Sequence, residues 1–235
     1  DEANIIQRQS GEDQSTRIAQ LYCELTQQNL YFKNFKGAAE ALEKALKVDP
    51  NNKRALIIKG KMLKAKGDID GALATWKQVG QISPVYGTLV VEQIASLLLE
   101  AGRKEEAVKY LEDLFKDGST TDEVDTAGIL LGKAGNSKEA ITLIQEHLKT
   151  QPTLVAFYRL IDLRLANEPE NESLKQLHGL LKNMLSKAVR YKCTKCGFAT
   201  RKFLWRCPGC HQWETFRSVR KTFQESNRLA CNRII

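Results

Sequence analysis

The 235-residue sequence lacks the features that would assign a chain to a membrane or to the secretory pathway. No run approaches the ~18 consecutive apolar residues that a membrane-spanning helix needs, and no signal peptide is present. The first residue is Asp1 and not Met, so we expect a fragment of a longer protein. With 42% hydrophobic and 27% charged residues, the composition is that of a soluble globular chain and excludes a disordered one.

Acidic residues are scarce at the C-terminal end of the chain. Residues 189–235 contain eleven Lys and Arg residues against Glu214 and Glu225, whereas the other 188 residues contain 25 basic and 26 acidic ones. The net charge of +8 therefore belongs to the C-terminal region. A basic region of this kind is compatible with contacts to nucleic acid, anionic lipid or an acidic protein surface.

Cysteine is scarce outside one cluster. Cys23 and Cys231 are isolated, and Cys23 fits a buried small hydrophobe. The other four cysteines form two Cys-x-x-Cys pairs, which without a secretory signal indicate a metal site before disulfides. Four thiolates complete a tetrahedral site, so His211 is expected to be a neighbour and not a ligand. We predict one zinc or iron ion, with zinc favoured, bound by Cys193, Cys196, Cys207 and Cys210.

The turns and aromatic residues around these cysteines fit a small metal module. Gly197, Pro208 and Gly209 suit the backbone of tight Cys-x-x-Cys turns. Because so small a module has little other core, we expect its aromatic side chains to pack around the metal, although they could also form a base-stacking platform. These residues are Tyr191, Phe198, Phe203, Trp205, Trp213 and Phe216.

The rest of the chain repeats with a period near 34 residues. Pro50 and Pro84 are 34 residues apart, and Pro152 lies two such periods further on. Alanines follow the same spacing at Ala38, Ala72, Ala107 and Ala140. In three repeats a glycine stands five residues before the alanine, where a helix must end in a left-handed residue. These glycines are Gly67, Gly102 and Gly135.

Each repeat therefore predicts two helices joined by a tight turn. The small alanine lets the helices approach closely, and a larger residue four positions later fills the space beyond it. These larger residues are Leu42, Trp76, Leu111 and Ile144. Such a pair cannot bury its apolar face alone, so the pairs must stack.

The pattern resembles the tetratricopeptide repeat, in which Gly60 and Gly128 match the small position of the first helix. The expected fold is all-α: a tetratricopeptide-repeat superhelix with a small C-terminal rubredoxin-like metal module of four cysteines. We expect an N-terminally truncated array of about five helix pairs in residues 1–188, the module in 189–220, and a tail in 221–235 that is disordered or foreign to the family. Gly118 replaces the expected proline, which predicts a looser third junction.

The combination of array and module resembles the lipopolysaccharide assembly protein B family of Gram-negative bacteria. The resemblance depends on Tyr191-Lys-Cys-Thr-Lys-Cys-Gly-Phe198, Leu204-Trp-Arg-Cys-Pro-Gly-Cys210 and Trp213. It implies an inner-membrane helix and earlier repeats that this chain lacks, with the repeats at the cytoplasmic face of the inner membrane. It also implies a non-enzymatic adaptor that works with a membrane AAA protease. Together they would limit the deacetylase whose reaction commits material to the synthesis of lipid A.

The resemblance further implies a groove lined by the first helix of each pair. Its candidate partner-binding residues are Arg54, Lys61, Lys64, Glu92, Asp125 and Arg159. The alternative is that these are merely solvated charges. We also expect the module to dock on the array, with Trp205 and Trp213 covering apolar surface and contributing to the partner-binding face.

The repeats favour a non-enzymatic adaptor, and the family resemblance implies that this adaptor regulates lipopolysaccharide biosynthesis. His147 and His178 are isolated on amphipathic helices, and no nucleophile has a plausible base near it in residues 1–188. The expected partners are the protease, the deacetylase and other lipopolysaccharide assembly proteins, and no small-molecule substrate is expected. The alternatives are a rubredoxin-like iron electron-transfer protein and a basic zinc-ribbon nucleic-acid binder, although nucleic acid is not the expected partner.

Overall fold

The computed structural model describes residues 14–115 and 121–219. The chain divides into two compact units, Asp1–Val90 and Val91–Ile235. Within its described residues the first unit contains the helices α1 (Gln14–Tyr31), α2 (Phe35–Val48), α3 (Lys53–Ala65), α4 (Ile69–Ile82) and α5 (Pro84–Gly87). The four-residue α5 was not predicted; Pro84 both follows the end of α4 and starts this short helix.

The second unit, as far as it is described, consists of six helices followed by three short strands. The helices are α6 (Val91–Glu100), α7 (Lys104–Asp113), α8 (Thr121–Lys133), α9 (Ser137–Thr150), α10 (Leu154–Asn167) and α11 (Glu172–Lys187). The strands are β1 (Tyr191–Cys193), β2 (Ala199–Thr200) and β3 (Phe216–Ser218).

The helices pack as consecutive pairs, in agreement with the predicted repeat. The pairs are α1 with α2, α3 with α4, α6 with α7, α8 with α9 and α10 with α11. We call the first helix of each pair its A helix and the second its B helix. The helical repeat fold with a small C-terminal module of four cysteines is confirmed.

A left-handed residue closes the turn between the two helices of a pair. Gly67, Gly102 and Gly135 have φ angles of 82°, 73° and 86°, as the sequence predicts. In the first pair Lys33 adopts the same conformation, with a φ angle of 58°. In these four pairs the next N–H group donates to the carbonyl five residues earlier at 2.8–3.0 Å, which ends the A helix with satisfied carbonyl groups.

Side chains that follow these turns start the B helices. Asn34 accepts a hydrogen bond from the Gly37 N–H at 3.1 Å, and Asp68 accepts one from the Gly71 N–H at 2.9 Å. Asn171 caps α11 in the same way. Because each cap satisfies an N–H group that has no partner inside the helix, it fixes the residue at which the helix begins.

Small residues on the A helices allow the close packing that the repeat requires. A Cβ atom added at Gly60 would lie 2.2 Å from Nε1 of Trp76, and one at Gly128 would lie 2.9 Å from Cδ1 of Ile144. The indole N–H of Trp76 donates to the carbonyl of Ile57 at 3.2 Å. The predicted pairing of a small A-helix residue with a large B-helix residue therefore occurs in both repeats.

Each unit has its own apolar core. In the first unit the core contains Cys23, Leu42, Ala45, Ala55 and Ile58, so Cys23 is a buried small residue as expected. In the second unit Leu111, Leu131 and Ile144 are fully buried. None of the helices in the two described ranges combines the length and hydropathy that crossing a membrane requires. The expectations for Gly118 and for residues 221–235 lie outside the described residues.

Candidate metal centre

Two turns of the same construction carry the clustered cysteines; we call them the first knuckle (residues 193–198) and the second knuckle (residues 207–212). In the first, the Cys193 N–H donates to the Phe198 carbonyl at 2.8 Å, and the Cys193 carbonyl accepts from the Gly197 N–H at 3.0 Å. The second knuckle repeats both bonds fourteen residues later, at 2.9 Å each. Each knuckle therefore presents its two sulfur atoms in the same way.

The four sulfur atoms converge on one point. All lie within 4.8 Å of one another. The Cys193 and Cys210 Sγ atoms are 3.7 Å apart, and the Cys196 and Cys207 Sγ atoms are 3.5 Å apart. Four sulfurs at ~2.3 Å from a tetrahedral ion are separated by about 3.8 Å. The cysteines therefore fit a single metal ion, which confirms that they can form the predicted one-ion site.

The backbone of the knuckles explains the residues beside the cysteines. Gly197 and His211 occupy equivalent positions, and both have left-handed φ angles, of 78° and 60°. His211 thus contributes a backbone turn, and it is not among the grouped metal-ligating side chains of the described residues. A Cβ atom at Gly209 would lie 3.3 Å from the Cys196 sulfur, so this glycine leaves room for the opposite knuckle.

The electrostatics of the site couple the four thiols. Burial raises the pKa of the Cys193 thiol, but hydrogen bonds with the Thr215 hydroxyl, with nearby backbone N–H groups and with the Cys196 side chain outweigh burial and lower that pKa to about 6. At Cys210 the Gln212 backbone lowers the pKa, while burial and the three neighbouring cysteines raise it to about 12. To bind a metal ion, the four thiols must lose their protons and become thiolates.

A three-stranded sheet holds the two knuckles together. Its order is β2-β1-β3 with antiparallel pairing throughout, and Cys193 is opposite Phe216. Phe216 is fully buried and packs in one cluster with the two buried cysteines, Cys193 and Cys207. The Thr215 hydroxyl lies 3.2 Å from the Cys193 sulfur. Sequence reasoning missed Thr215, because its contact with the first knuckle spans 22 residues and no motif marks it.

The other aromatic side chains pack around this small core. Phe203 contacts both Tyr191 and Trp205 edge to face, with ring centroids 5.6 and 5.0 Å apart. The Arg206 guanidinium lies 5.7 Å from the ring of Trp213. Trp205 and Trp213 are each half-buried. Their predicted contact with the array and with partners stays a prediction.

The candidate groove residues fall into two groups: buried residues that link neighbouring A helices, and residues that are more exposed to solvent. Arg54 is buried, and its guanidinium donates to Glu24 at 2.7 Å and to Gln27 at 2.6 Å, both on α1. It therefore joins the neighbouring A helices α1 and α3. Sequence reasoning placed Arg54 on the A-helix face but did not identify these two acceptors.

Arg159 and Asp125 form an equivalent link in the second unit. The Arg159 Nε atom on α10 donates to the Asp125 carboxylate on α8 at 3.0 Å, and both side chains are largely buried. Arg159 also pairs with Asp162, whose carboxylate lies 3.1 Å from His178 Nε2. His178 in turn stacks on Tyr158. These charges hold adjacent helices together, and a direct role in partner binding stays a prediction.

The remaining candidates are more open to solvent. Lys61 and Glu92 are exposed, and Lys64 is half-buried. Whether they bind a partner stays a prediction. Sequence reasoning missed the contact of Arg190, which lies at the start of the module, 3.5 Å from the buried Asp122 carboxylate on α8. This ion pair joins the start of the module to the helical part of the same unit.

Two family matches agree with this geometry. Residues 6–168 match the family described as "Tetratricopeptide repeat-like domain", and residues 191–218 match "Rubredoxin metal binding domain". The first match covers more than half of the chain. The chain therefore belongs to the tetratricopeptide repeat-like domain family, and residues 191–218 are similar to the rubredoxin metal-binding domain.

Curated relatives are similar to this chain over most of its length. The chain is 28% identical to Lipopolysaccharide assembly protein B of Escherichia coli (strain K12), over 94% of this chain and 57% of that protein. It is also 28% identical to the protein of that name from Haemophilus influenzae, over 88% of this chain and 53% of the relative. The chain spans about half the length of these relatives. The resemblance seen in the sequence is confirmed.

Two solved structures are similar to this chain at low sequence identity. PilF of Pseudomonas aeruginosa gives a TM-score of 0.49 at 18% identity, covering 73% of this chain and 78% of the other. A kinesin light chain repeat protein gives a TM-score of 0.47 at 14% identity, covering 75% of this chain and all of the other.

Proposed function

We propose that this chain is part of a non-enzymatic adaptor that regulates lipopolysaccharide biosynthesis by holding other proteins on its repeat array. The observation that supports this most directly is the similarity to Lipopolysaccharide assembly protein B across 94% of the chain, array and module together. Stacked helix pairs provide extended surfaces suited to protein binding. The proposal assigns the binding to the A-helix face.

The charged residues on the A helices have two different roles in this proposal, according to whether they are buried or exposed. Arg54, Asp125 and Arg159 are buried and joined to neighbouring A helices, so they fix the shape of the face. Lys61 and Glu92 project from it into solvent. Within each unit, a partner would therefore meet an exposed charge on helices that are linked to each other, which favours recognition of a complementary charge.

The metal module has a structural role in this proposal. The four cysteines would hold one zinc ion and leave no open coordination position, which is typical of structural sites. The chemistry that the ion supplies is cross-linking of the two knuckles. The protein's own contribution is the buried Phe216 and the pairing of β1 with β3, which hold the two knuckles beside each other.

The more specific part of the proposal concerns the partners. From the family resemblance we propose that the adaptor presents the deacetylase that commits material to lipid A to a membrane AAA protease, at the cytoplasmic face of the inner membrane. This partner assignment rests on the resemblance and on the relatives' name, and the groove residues provide a way to test it.

The test is a binding measurement with the purified chain, the deacetylase and the soluble part of the protease. Lys61→Glu should weaken binding of at least one partner about tenfold or more, because it reverses an exposed charge on the proposed face. Lys59→Glu is the matched control, since it makes the same change at an exposed site on the same helix. No binding of either partner, or equal losses for the two variants, would contradict the proposal.

A further inference from the structure

A side chain outside the two knuckles lies against one of the clustered sulfur atoms. The hydroxyl oxygen of Thr215 is 3.2 Å from the Cys193 Sγ atom. Thr215 is buried, with 6% of its surface exposed. In the part of the chain that the structure describes, this sulfur is the hydrogen-bond partner of the hydroxyl. A buried hydroxyl needs such a partner, so the contact with the sulfur is what allows a threonine to be buried here.

The chemistry of a metal-binding sulfur determines the direction of this hydrogen bond. As a thiol, the Cys193 S–H group donates to the Thr215 oxygen. A cysteine that binds a metal ion is a thiolate, which has no hydrogen and can only accept. The Thr215 hydroxyl carries one hydrogen and rotates about its C–O bond, so it can donate to the thiolate without moving. The contact therefore suits the metal-binding form, in which the hydrogen bond is the stronger, charge-assisted kind.

The backbone on both sides of Thr215 fixes the hydroxyl in this place. The Thr215 carbonyl accepts hydrogen bonds from the Thr194 N–H at 2.9 Å and from the Thr194 hydroxyl at 3.2 Å. The preceding residue, Glu214, donates its N–H to the Trp205 carbonyl at 2.8 Å. Glu214 also has a left-handed φ angle of 56°, which persists in a residue other than glycine only where the surrounding contacts enforce it. The hydroxyl is therefore held towards the sulfur in advance.

The second knuckle is built without this contact. The two knuckles have the same backbone hydrogen bonds, and Cys207 is the equivalent of Cys193. Both cysteines are buried. Among residues 14–115 and 121–219, however, no hydroxyl group makes a hydrogen bond with the Cys207 sulfur, which contacts the Cys196 sulfur at 3.5 Å. The hydroxyl is therefore not part of the general construction of a knuckle, and the first knuckle has it as a separate feature.

We propose that Thr215 is a positioning residue of the metal centre, and that its hydroxyl donates to the Cys193 thiolate and thereby strengthens metal binding. This inference rests on the proposed metal-binding role of the module. A donor of this kind fixes the direction of the ligand and stabilises its negative charge. Because Cys193 is buried, water cannot replace the lost donor when the hydroxyl is removed.

The zinc affinity of the full chain tests the proposal. Thr215→Val removes the hydroxyl and keeps the branched shape of the side chain. The dissociation constant for zinc, measured by competition with a chromophoric chelator, should rise about 10–100-fold, the usual effect of removing a group that orients a metal ligand. Thr215→Ser keeps the hydroxyl, so its dissociation constant should stay within about threefold of that of the unmodified chain.

Thr194→Val is the matched control. It removes a second hydroxyl hydrogen bond of 3.2 Å from the same strand pairing, and this hydroxyl donates to a carbonyl and not to a sulfur. The dissociation constant should therefore change by less than about threefold. Cobalt(II) gives a second readout, because its thiolate charge-transfer absorption depends on the electron density at the sulfur ligands. This absorption should move to longer wavelength in Thr215→Val and stay in place in Thr194→Val, a difference that a merely structural role would not produce.

Three results would overturn the proposal. An unchanged zinc affinity in Thr215→Val would show that the hydroxyl does not act on the metal centre. Equal losses in Thr215→Val and in either Thr215→Ser or Thr194→Val would assign the effect to side-chain packing or to the strand pairing. An unmodified chain that binds neither zinc nor cobalt would contradict the proposed metal centre itself, and this inference with it.

Discussion

The repeat array and the metal module achieve stability by opposite means. The array repeats one small arrangement, a small A-helix residue against a large B-helix residue, as in Gly60 with Trp76. The module has one fully buried aromatic residue, Phe216, and four sulfurs converging on one point. A mutation in the array is therefore expected to lower stability in proportion to the local contacts that it removes, whereas a mutation in the module is expected to unfold it completely or not at all.

The largest expected effect comes from breaking the module. Cys207→Ser should remove the single bound metal and unfold residues 191–218, because structural zinc contributes about 10–16 kcal/mol of apparent binding free energy in small modules. The helical circular dichroism signal should change little. Metal analysis and limited proteolysis measure the two effects.

Cys23→Ser is the reciprocal control for this prediction, because Cys23 is buried in the array core. It should weaken the array and leave one metal per chain. Collapse of helicity in Cys207→Ser would show that the array depends on the module. Iron with a visible absorption spectrum, in place of zinc, would favour the electron-transfer alternative.

The next effect concerns the close packing inside a repeat. Gly60→Ala should lower the free energy of unfolding of the array by about 2–3 kcal/mol, because the added Cβ would overlap the Trp76 ring. Gly179→Ala is the matched control, since no atom of the described residues lies within 4 Å of a Cβ there. It should be neutral or stabilise α11 by up to about 1 kcal/mol. Urea unfolding measures both variants, and equal effects would contradict the prediction.

A smaller effect is expected from the link between A helices. Arg159→Ala should lower the free energy of unfolding by about 1–2 kcal/mol, because it removes the cation that pairs with the largely buried Asp125 carboxylate. Lys149→Ala removes an exposed pair with Glu146 and should change stability by less than about 0.5 kcal/mol. If the two variants lose the same stability, the buried link does not hold the A helices together.

The smallest effect is a pH dependence of the array. Burial lowers the pKa of His147 below its usual value, and its Nε2 atom has no hydrogen-bond partner among the described residues. Between its lowered folded-state pKa and the ordinary histidine pKa, His147 binds fewer protons in the folded state than in the unfolded state. The free energy of unfolding is therefore highest above the ordinary pKa, and it decreases as the pH falls towards and through the lowered pKa. Unfolding midpoints between about pH 7.5 and 5 should show this fall, and His147→Gln should flatten it. An unchanged slope in that variant would contradict the assignment to His147.

Much of the array could be predicted because its signals are local. Gly67, Gly102 and Gly135 mark the turns directly, since the left-handed conformation favours glycine. Lys33 adopts that conformation without a glycine to mark it, so only the spacing to Ala38 could have revealed it. The grouping of the four cysteines was equally predictable, because the Cys-x-x-Cys spacing suits the chemistry of a metal ion.

The contacts that escaped prediction join residues far apart in the chain. Arg190 with Asp122 spans 68 residues, and Thr215 with Cys193 spans 22. Such pairs depend on how completed elements pack, and no residue pattern encodes them individually. The same reason explains why the acceptors of Arg54 were not identified in advance, although its helix face was.

The fourteen-residue offset between the knuckles has a consequence for metal affinity. Each knuckle alone offers two sulfurs, so tight binding depends on the chelate effect between two half-sites. Their effective concentration is set by the pairing of β1 with β3, which joins the entry to the first knuckle with the exit from the second. A change in that strand pairing would therefore alter the dissociation constant without touching a single cysteine.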